Sequence, residues 1–424
     1  MKRNLAQWLA WIEGRHPKAI DMGLDRVRLV AERMQLPRPA RHVITVAGTN
    51  GKGSTVAFIE AIAREQGWRT GAYTSPHLFE YNERVRVDGH PADDAALVEA
   101  FEAVEAARAA GHGVSLTYFE YGTLAALWLF AREPLDLAVL EVGLGGRLDA
   151  TNIVDPDVAV VTTVDLDHSD WLGADREAIG REKAGIARAW KPLVLGEDDP
   201  PASVLRHAYA IGASAIRAGC DFFFEPVDVK HWRWHEVGHG IDLPYPSLRG
   251  PVQLRNAATA IAALRALDAP VSGEAIARGV AMARVPGRLQ AFDLHGVEVV
   301  VDVGHNPQAA REVSAWLKSA PAPGRTRVVL AALADKDVAG VVGALASDVQ
   351  EWHLAGLEQG PRGLGADALG ERLADTAASS AARHAGVAEA LEAVRDASAA
   401  GDRILVLGSF HTAAAALDLL QGRH

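Results

Sequence analysis

From residue 43 onward, short runs rich in β-branched and aliphatic residues alternate with stretches whose apolar positions recur at helical spacing. Residues 42–47 (HVITVA), 70–74, 135–142, 158–164 and 192–195 read as strands, with helical periodicity between several of them. Continuous apolar runs separated by helices predict an α/β protein, with a mainly parallel sheet covered by helices. Between Cys220 and Pro246 the chain turns aromatic, His-rich and alternating, which predicts a small antiparallel excursion. Helical sequence returns at Asn256. After VPGRLQ (285–290) a second alternation begins, with strands expected at 297–303, 327–332, 351–355 and 403–407. This places a domain boundary near Pro286, giving an N-terminal domain of residues 1–286 and a C-terminal domain of 287–424. The Ala-rich tract 376–400 carries charges at helical spacing and reads as solvated helices.

Composition narrows the function. A chain of 424 residues with 49% hydrophobic residues can bury large cores. Its formal net charge of −11 argues against an extended nucleic-acid or anionic-membrane surface, while leaving room for a local basic pocket. Cys220 is the only cysteine, so no intrachain disulfide forms, which fits a reducing cytoplasm. The N-terminal MKRNLAQWLAWIEGRH has an apolar stretch that is short and broken by Gln7 and Glu13. It predicts a helix, with no secretory signal there and no membrane span elsewhere.

The candidate chemistry starts at VAGTNGKGST (46–55). It departs from the nucleotide loop GxxxxGK[ST]: Gly51 and Lys52 are in place, but Gly53 intervenes before Ser54, and Val46 stands where the first glycine belongs. Its context still predicts phosphate binding, because the glycines fall on a turn between a strand and a helix starting at Lys52. Such a turn directs free backbone N–H groups and the positive helix end at an anion.

HEVGH (235–239) matches a zinc-protease pattern that works only on a helix, where both His share one face. Gly238, Gly240, Pro244 and Pro246 argue for a surface hairpin instead. On one strand the two His would stand about 13 Å apart, too far to share a metal. Four other stretches carry more. LEVGLGGRLDATN (140–152) puts Glu141 at the end of a strand beside the phosphate loop, where magnesium would be held, and a purely structural turn is the alternative. DLDHSDW (165–171) offers Asp165, Asp167, His168 and Asp170, or a capped helix start. REKAGI (181–186) sets Lys183 on a helix, where a lone lysine is usually a surface charge. VDVGHNP (301–307) gathers Asp302, His305 and Asn306 in one polar turn.

Together these stretches resemble the family of bifunctional bacterial dihydrofolate synthase/folylpolyglutamate synthases, within the Mur-type amide-forming ligases. The resemblance covers nearly the whole chain, through IDMGLDRV (20–27), AGTNGKGST (47–55), YTSPHLFEYNERVRV (73–87), SLTYFEYGTLAALW (115–128), GREKAGI (180–186), RNAATAIAAL (255–264), VPGR (285–288), DVGHNP (302–307), ADKD (334–337) and GSFHT (408–412), besides the Glu141 and His168 stretches. It implies a P-loop-type ATPase domain with a mainly parallel sheet, followed by a smaller Rossmann-like α/β domain. It further implies a cytoplasmic, monomeric ligase that joins L-glutamate to 7,8-dihydropteroate and to reduced folates through an acyl phosphate.

Site roles follow from the resemblance position by position. Gly51, Lys52, Gly53 and Ser54 would cradle the ATP phosphates, with Ser54 supplying the hydroxyl that Gly53 displaces. Asn256, Arg288 and Asp302 match nucleotide contacts, so that ATP would lie between the two domains and closure would assemble the site. Two magnesium ions are implied, one on Ser75 and Glu141, the other on His168. The family carries a carbamylated lysine at the position of Lys183, as a carboxylate-like helper to the second ion. Thr117, Tyr118, Phe119 and Glu120, with Leu148, Asp149 and Ala150, match pteroate contacts, although core packing is an equal account of Phe119. Lys52, Lys183 and His305 stand as the catalytic candidates, and His305 and Ser409 match motifs near the incoming glutamate. Gly304 replaces the Ala common in DVAHNP, Ala334 replaces the polar residue often found before DKD, and residues 220–250 match weakly.

Competing readings are a polyglutamate synthase without dihydropteroate activity, a peptidoglycan Mur ligase and a non-catalytic ATP-binding regulator. Peptidoglycan ligases usually carry an added substrate domain before the loop, where only about 45 residues stand here.

Overall fold

A computed structural model describes residues 3–18, 20–357 and 362–422. Met1 and Lys2 of the N-terminal reading lie outside the described residues, and the helix predicted there runs over Leu5–Glu13. The chain forms two compact units: residues 1–247 with 254–283, and residues 248–253 with 284–424.

The first unit is built on eight strands: β1 (His42–Ala47), β2 (Thr70–Tyr73), β3 (Val85–Val87), β4 (His90–Pro91), β5 (Leu137–Glu141), β6 (Val158–Val161), β7 (Pro192–Leu195) and β8 (Ser214–Arg217). They lie in the order β4-β3-β2-β5-β1-β6-β7-β8. β2, β5, β1, β6, β7 and β8 run parallel, while β3 and β4 add antiparallel at one edge. β1 is central because five of its six residues are buried; a strand covered on both faces needs an unbroken apolar run rather than alternation. Its register sets Val46 opposite Glu141 and Ala47 opposite Val161, so the loops after β1, β5 and β6 leave the same edge side by side. In open α/β sheets ligands bind at this carboxyl edge.

The strand predicted over residues 158–164 stops at Val161. Beyond it the Thr162 N–H still donates to the Ala47 carbonyl of β1 at 2.9 Å, while the hydroxyls of Thr162 and Thr163 hold the phosphate loop, each donating to the Asn50 carbonyl. One core cluster joins Trp8, Phe101, Tyr121 and Phe130 to Val43, Ala138 and Leu140; another joins Val161 and Leu195 to Ile179, Ile186 and Val204.

The excursion after Cys220 is a separate antiparallel sheet of β9 (Phe222–Pro226), β10 (His231–Glu236) and β11 (His239–Pro244). His235 faces Gly240 and Glu236 faces His239 across a hairpin. The HEVGH stretch therefore lacks the helix its zinc chemistry needs, and the His235 ring stacks on Phe223 at 5.1 Å. Among the described residues no group of three or more His, Cys, Asp or Glu side chains is arranged to hold a metal. His235→Ala should leave the ATP-dependent turnover that the resemblance implies within about twofold of wild type in an ADP-release assay, as surface changes away from a site usually do. A severalfold loss would make this hairpin a functional element.

The second unit carries β12 (Gln290–Leu294), β13 (Val297–Val301), β14 (Thr326–Leu330), β15 (Glu351–Ala355), β16 (Ala382–His384) and β17 (Arg403–Leu407), in the order β12-β13-β17-β14-β15-β16. Only β12 is antiparallel to its neighbour. The tract 376–400 corrects the sequence reading: helix is confined to Val387–Asp396, and Ala382–His384 forms an edge strand. Pairing with β15 overrides the helical preference of alanine there.

Candidate active site

The phosphate loop is fixed by its neighbours as much as by its own sequence. Gly48 has φ +153°, and a Cβ there would stand 1.8 Å from Thr162 Oγ1. Gly51 has φ +85° and caps the helix Lys52–Glu65; a Cβ there would come within 2.6 Å of Asn256 Oδ1. Both positions need glycine, one chiefly for space and the other for a left-handed backbone. Asn256, on the helix Val252–Arg265, is thereby placed against the loop. Thr49 and Asp165 are laced together: Asp165 N–H donates to Thr49 Oγ1 at 3.0 Å, and that hydroxyl donates back to the Asp165 carbonyl at 3.1 Å. Lys52 Nζ donates to the carbonyls of Gly48 and Thr49, at 3.0 and 3.2 Å, curling over the loop. Gly53 and Ser54 lie in the helix's first turn, Ser54 buried.

Glu141, buried at the end of β5, accepts a hydrogen bond from the Ser75 backbone at 3.1 Å. The two predicted ligands of one magnesium are thus adjacent. The donor set fits the ion: magnesium uses one or two carboxylates, keeps several waters and takes the rest from phosphate oxygens. His168 stands in the left-handed region at φ +53°, caps the short helix Ser169–Leu172 and is partly exposed, with Nε2 3.9 Å from Asp167.

Lys183 lies in the last turn of the helix Arg176–Ala184 and is buried. Burial, reinforced by the positive charge of Lys52, brings its amine down to about 7, with Asp167 and Asp149 opposing. At neutral pH a sizeable fraction is therefore an uncharged, nucleophilic amine. The surface-charge alternative for this lysine is overturned.

The substrate stretch forms the start of the helix Tyr118–Phe130. Thr117 and Glu120 make a reciprocal capping box, and Glu120 also accepts from Arg26 Nη2 at 3.0 Å. Phe119 packs 5.8 Å from Tyr73, and Tyr118 meets Tyr81 edge-on at 5.8 Å. Asp149 is buried between Leu148 and Ala150, and each of its oxygens accepts twice: Oδ2 from Gly143 and Leu144 N–H, Oδ1 from the N–H and hydroxyl of Thr151. Burial pushes its carboxyl upward even so. Four donors fill this carboxylate, which makes Asp149 the organiser of the loop 143–151.

In the second unit, Asp302 follows β13 and is buried. It accepts from Leu289 N–H at 2.9 Å and Gly304 N–H at 2.6 Å, tying VPGR to the DVGHNP turn. Burial raises its carboxyl against the pull of Arg288. His305 Nδ1 lies 2.9 Å from the Val303 carbonyl, a contact that orients the ring. Its ring and the Arg288 guanidinium both approach Phe410, at 6.3 and 5.8 Å. Ser409 caps the helix Phe410–Gln421. Asp302, His305 and Ser409 thus share the carboxyl edge of this sheet, where Gly408 N–H donates to the Gly304 carbonyl.

Sequence reasoning missed Thr162 and Thr163, and a clamp of Glu197 with Arg176. Glu197 accepts from Val164 N–H at 3.1 Å, while Arg176 donates to the Val164 carbonyl through Nε at 2.8 Å and to Glu197 through Nη2 at 3.0 Å. Burial lifts Glu197 to about 7. The available signal was the Thr-Thr that ends an apolar strand beside a phosphate loop.

Comparison with known proteins gives the same outline. The model of the Mur ligase middle domain matches residues 46–264, and that of the Mur ligase glutamate ligase domain matches 287–410. The dihydrofolate synthase/folylpolyglutamate synthase of Escherichia coli (strain K12) is 47% identical over 421 residues, covering 99% of this chain and 96% of its own. The structure of E. coli FolC in complex with DHPP and ADP superposes with a TM-score of 0.93 at 46% identity, over 99% of this chain and 98% of that one. A bifunctional folylpolyglutamate synthase/dihydrofolate synthase with Mn, AMPPNP and L-glutamate bound gives 0.91 at 44% identity, with the same coverage.

Proposed function

This chain belongs to the Mur ligase family, on its dihydrofolate synthase/folylpolyglutamate synthase branch, and from that premise we propose the reaction and the residues that carry it. It is an ATP-dependent ligase that adds L-glutamate to dihydropteroate, forming dihydrofolate, and to reduced folates, forming polyglutamates. A free carboxylate is a poor electrophile. Transfer of the γ-phosphoryl group of ATP to the substrate carboxylate creates a mixed anhydride with a good leaving group. The amine of glutamate then attacks the acyl carbon, the C–O bond to phosphate breaks, and the amine proton is released as the amide forms.

The observation that carries this reading is the convergence at one sheet edge of a glycine-turned phosphate loop and a buried carboxylate suited to magnesium. In the proposal Lys52 leaves the Gly48 and Thr49 carbonyls for the phosphate oxygens, joined by the N–H groups of residues 51–54. Glu141 and Ser75 would hold one magnesium, which neutralises phosphate charge when bound. His168 would serve a second, helped by Lys183 as a carbamate. Asn256 bears on the nucleotide through its seat against Gly51, and Arg288 and Asp302 are assigned to it as well. Tyr118 and Phe119 give the pterin-linked substrate an apolar wall. Thr117, Glu120 and Leu148–Ala150 shape it, with Asp149 acting through loop order, and His305 and Ser409 would orient glutamate. A monomer in the cytoplasm is the expected setting, checked by light scattering and cell fractionation.

The test is ADP release by the purified protein with Mg-ATP and L-glutamate, comparing dihydropteroate, tetrahydrofolate and no pterin, with product mass read in parallel. Release with both pterins and a gain of one glutamyl unit is the expected result. Release with tetrahydrofolate alone would reduce the function to polyglutamate synthesis. Pterin-independent release, or none, would overturn the assignment.

A further inference from the structure

A ligase acting on both substrates meets two kinds of acid. Dihydropteroate brings one carboxylate, which is consumed in the reaction. A folate brings a second, the α-carboxylate of its glutamyl tail, which remains an anion throughout. Moving that spectator charge out of water is costly unless a cation receives it. Cations around the substrate stretch are largely committed: Arg26 pairs with Asp21 and Glu120, Arg86 with Glu60, and Arg147 with Glu182.

Arg84 differs. It is half-buried, and no carboxylate among the described residues lies within ion-pair distance of it. Its guanidinium carbon sits 5.4 Å from the Tyr81 ring centre and 5.6 Å from that of Tyr118. Nε donates to His77 Nδ1 at 2.8 Å, so the planar group is oriented while its two Nη atoms remain for a bidentate acceptor. The backbone is anchored too: the Arg84 carbonyl accepts from Thr74 N–H at 2.9 Å, one residue before the Ser75 N–H that donates to Glu141. The Arg84 charge reaches the hydroxyls of Tyr73, Tyr81 and Tyr118, opposing the upward push of burial on all three. Arg84 thus connects the aromatic wall to the edge where Glu141 stands.

We propose that Arg84 receives the α-carboxylate of the folate glutamyl tail and so sets the preference of this enzyme for folate over dihydropteroate. The inference rests on the reading that residues 117–120 face the pterin-linked substrate. Because the spectator carboxylate is bound equally in ground and transition states, its loss should raise KM for the folate more than it lowers kcat.

The test compares wild type, Arg84→Gln and Arg84→Lys on dihydropteroate, tetrahydrofolate and tetrahydrofolate with its α-carboxylate converted to the carboxamide. In Arg84→Gln the ratio of kcat/KM for tetrahydrofolate to that for dihydropteroate should fall about tenfold or more, through KM, with Arg84→Lys intermediate. Wild type should lose a similar factor on the carboxamide, and Arg84→Gln should handle acid and carboxamide alike. A ratio unchanged within about twofold, or a wild type indifferent to the carboxamide, would overturn the proposal, and the second measurement needs no variant to fold. Wild-type turnover of dihydropteroate, together with Phe119→Ala kinetics on it, tests the underlying substrate reading separately.

Discussion

Lys183→Ala is expected to lower ligase turnover by about a hundredfold or more while nucleotide binding survives. Burying the Lys183 ammonium is costly, and the positive charge of Lys52 adds to that pressure; together they outweigh the opposing pull of Asp167 and Asp149 and favour loss of its proton. Burial thus lowers the amine to about 7, which brings its neutral form within reach near neutral pH. Only the neutral amine attacks carbon dioxide: a nitrogen–carbon bond forms, a proton leaves, and a cation becomes an anion of carboxylate shape. Such an anion, placed among Asp167, Asp149 and the phosphate loop, suits a hard divalent ion far better than an ammonium group does.

The pH dependence follows with a definite sign. As pH falls below about 7 the amine is protonated and carbamate formation is suppressed, so turnover in limiting bicarbonate should decline on the acid side and recover as pH rises. Stability linked to this lysine runs the same way. Its folded-state value lies below its unfolded one, so the unfolded chain binds more protons between them and the unmodified protein gains stability as pH rises through that window. Mass spectrometry in native conditions with labelled bicarbonate reads the adduct directly. Near-normal turnover of Lys183→Ala with ADP release intact would remove the carbamate assignment.

Much of this arrangement was legible in the chain. The alternation of buried runs and helices sufficed for two parallel-sheet units, because strands covered on both faces leave an unmistakable apolar signature. Glu141 and Asp302 stand out as candidates for the same reason: each closes or directly follows such a run. What the sequence hid is non-local or saturating. Thr162 meets Asn50 across 112 residues, and nothing near either position announces the other. Asp149 of RLDATN matches a pteroate contact by resemblance, yet four donors from its own loop fill its carboxylate, a closure that the order of residues does not show. The edge strand at 382–384 was lost to alanine's helical preference, which pairing with β15 overrides.

Gly48→Ala should weaken ATP binding by about tenfold or more and lower the melting temperature by several degrees, about 1–3 kcal/mol for the strained backbone alone. The argument is geometric. A Cβ at this position falls 1.8 Å from Thr162 Oγ1 and 3.1 Å from Thr162 Cβ, on a backbone whose φ of +153° suits glycine. Thr162 cannot simply turn aside, because its hydroxyl donates to the Asn50 carbonyl at 2.6 Å and thereby shapes the loop that must cradle phosphate. Moving either element pulls Asp165 through its paired contacts with Thr49, and so disturbs the start of the His168 segment. Thr162→Ala offers the check: it removes the overlapping oxygen, so the double variant Gly48→Ala/Thr162→Ala should lose less than the sum of the two single losses in nucleotide affinity. Isothermal titration with ADP measures all four proteins. Wild-type affinity in Gly48→Ala would show that this loop tolerates what its packing forbids, and the assignment of residues 48–54 as the phosphate cradle would then fail with it.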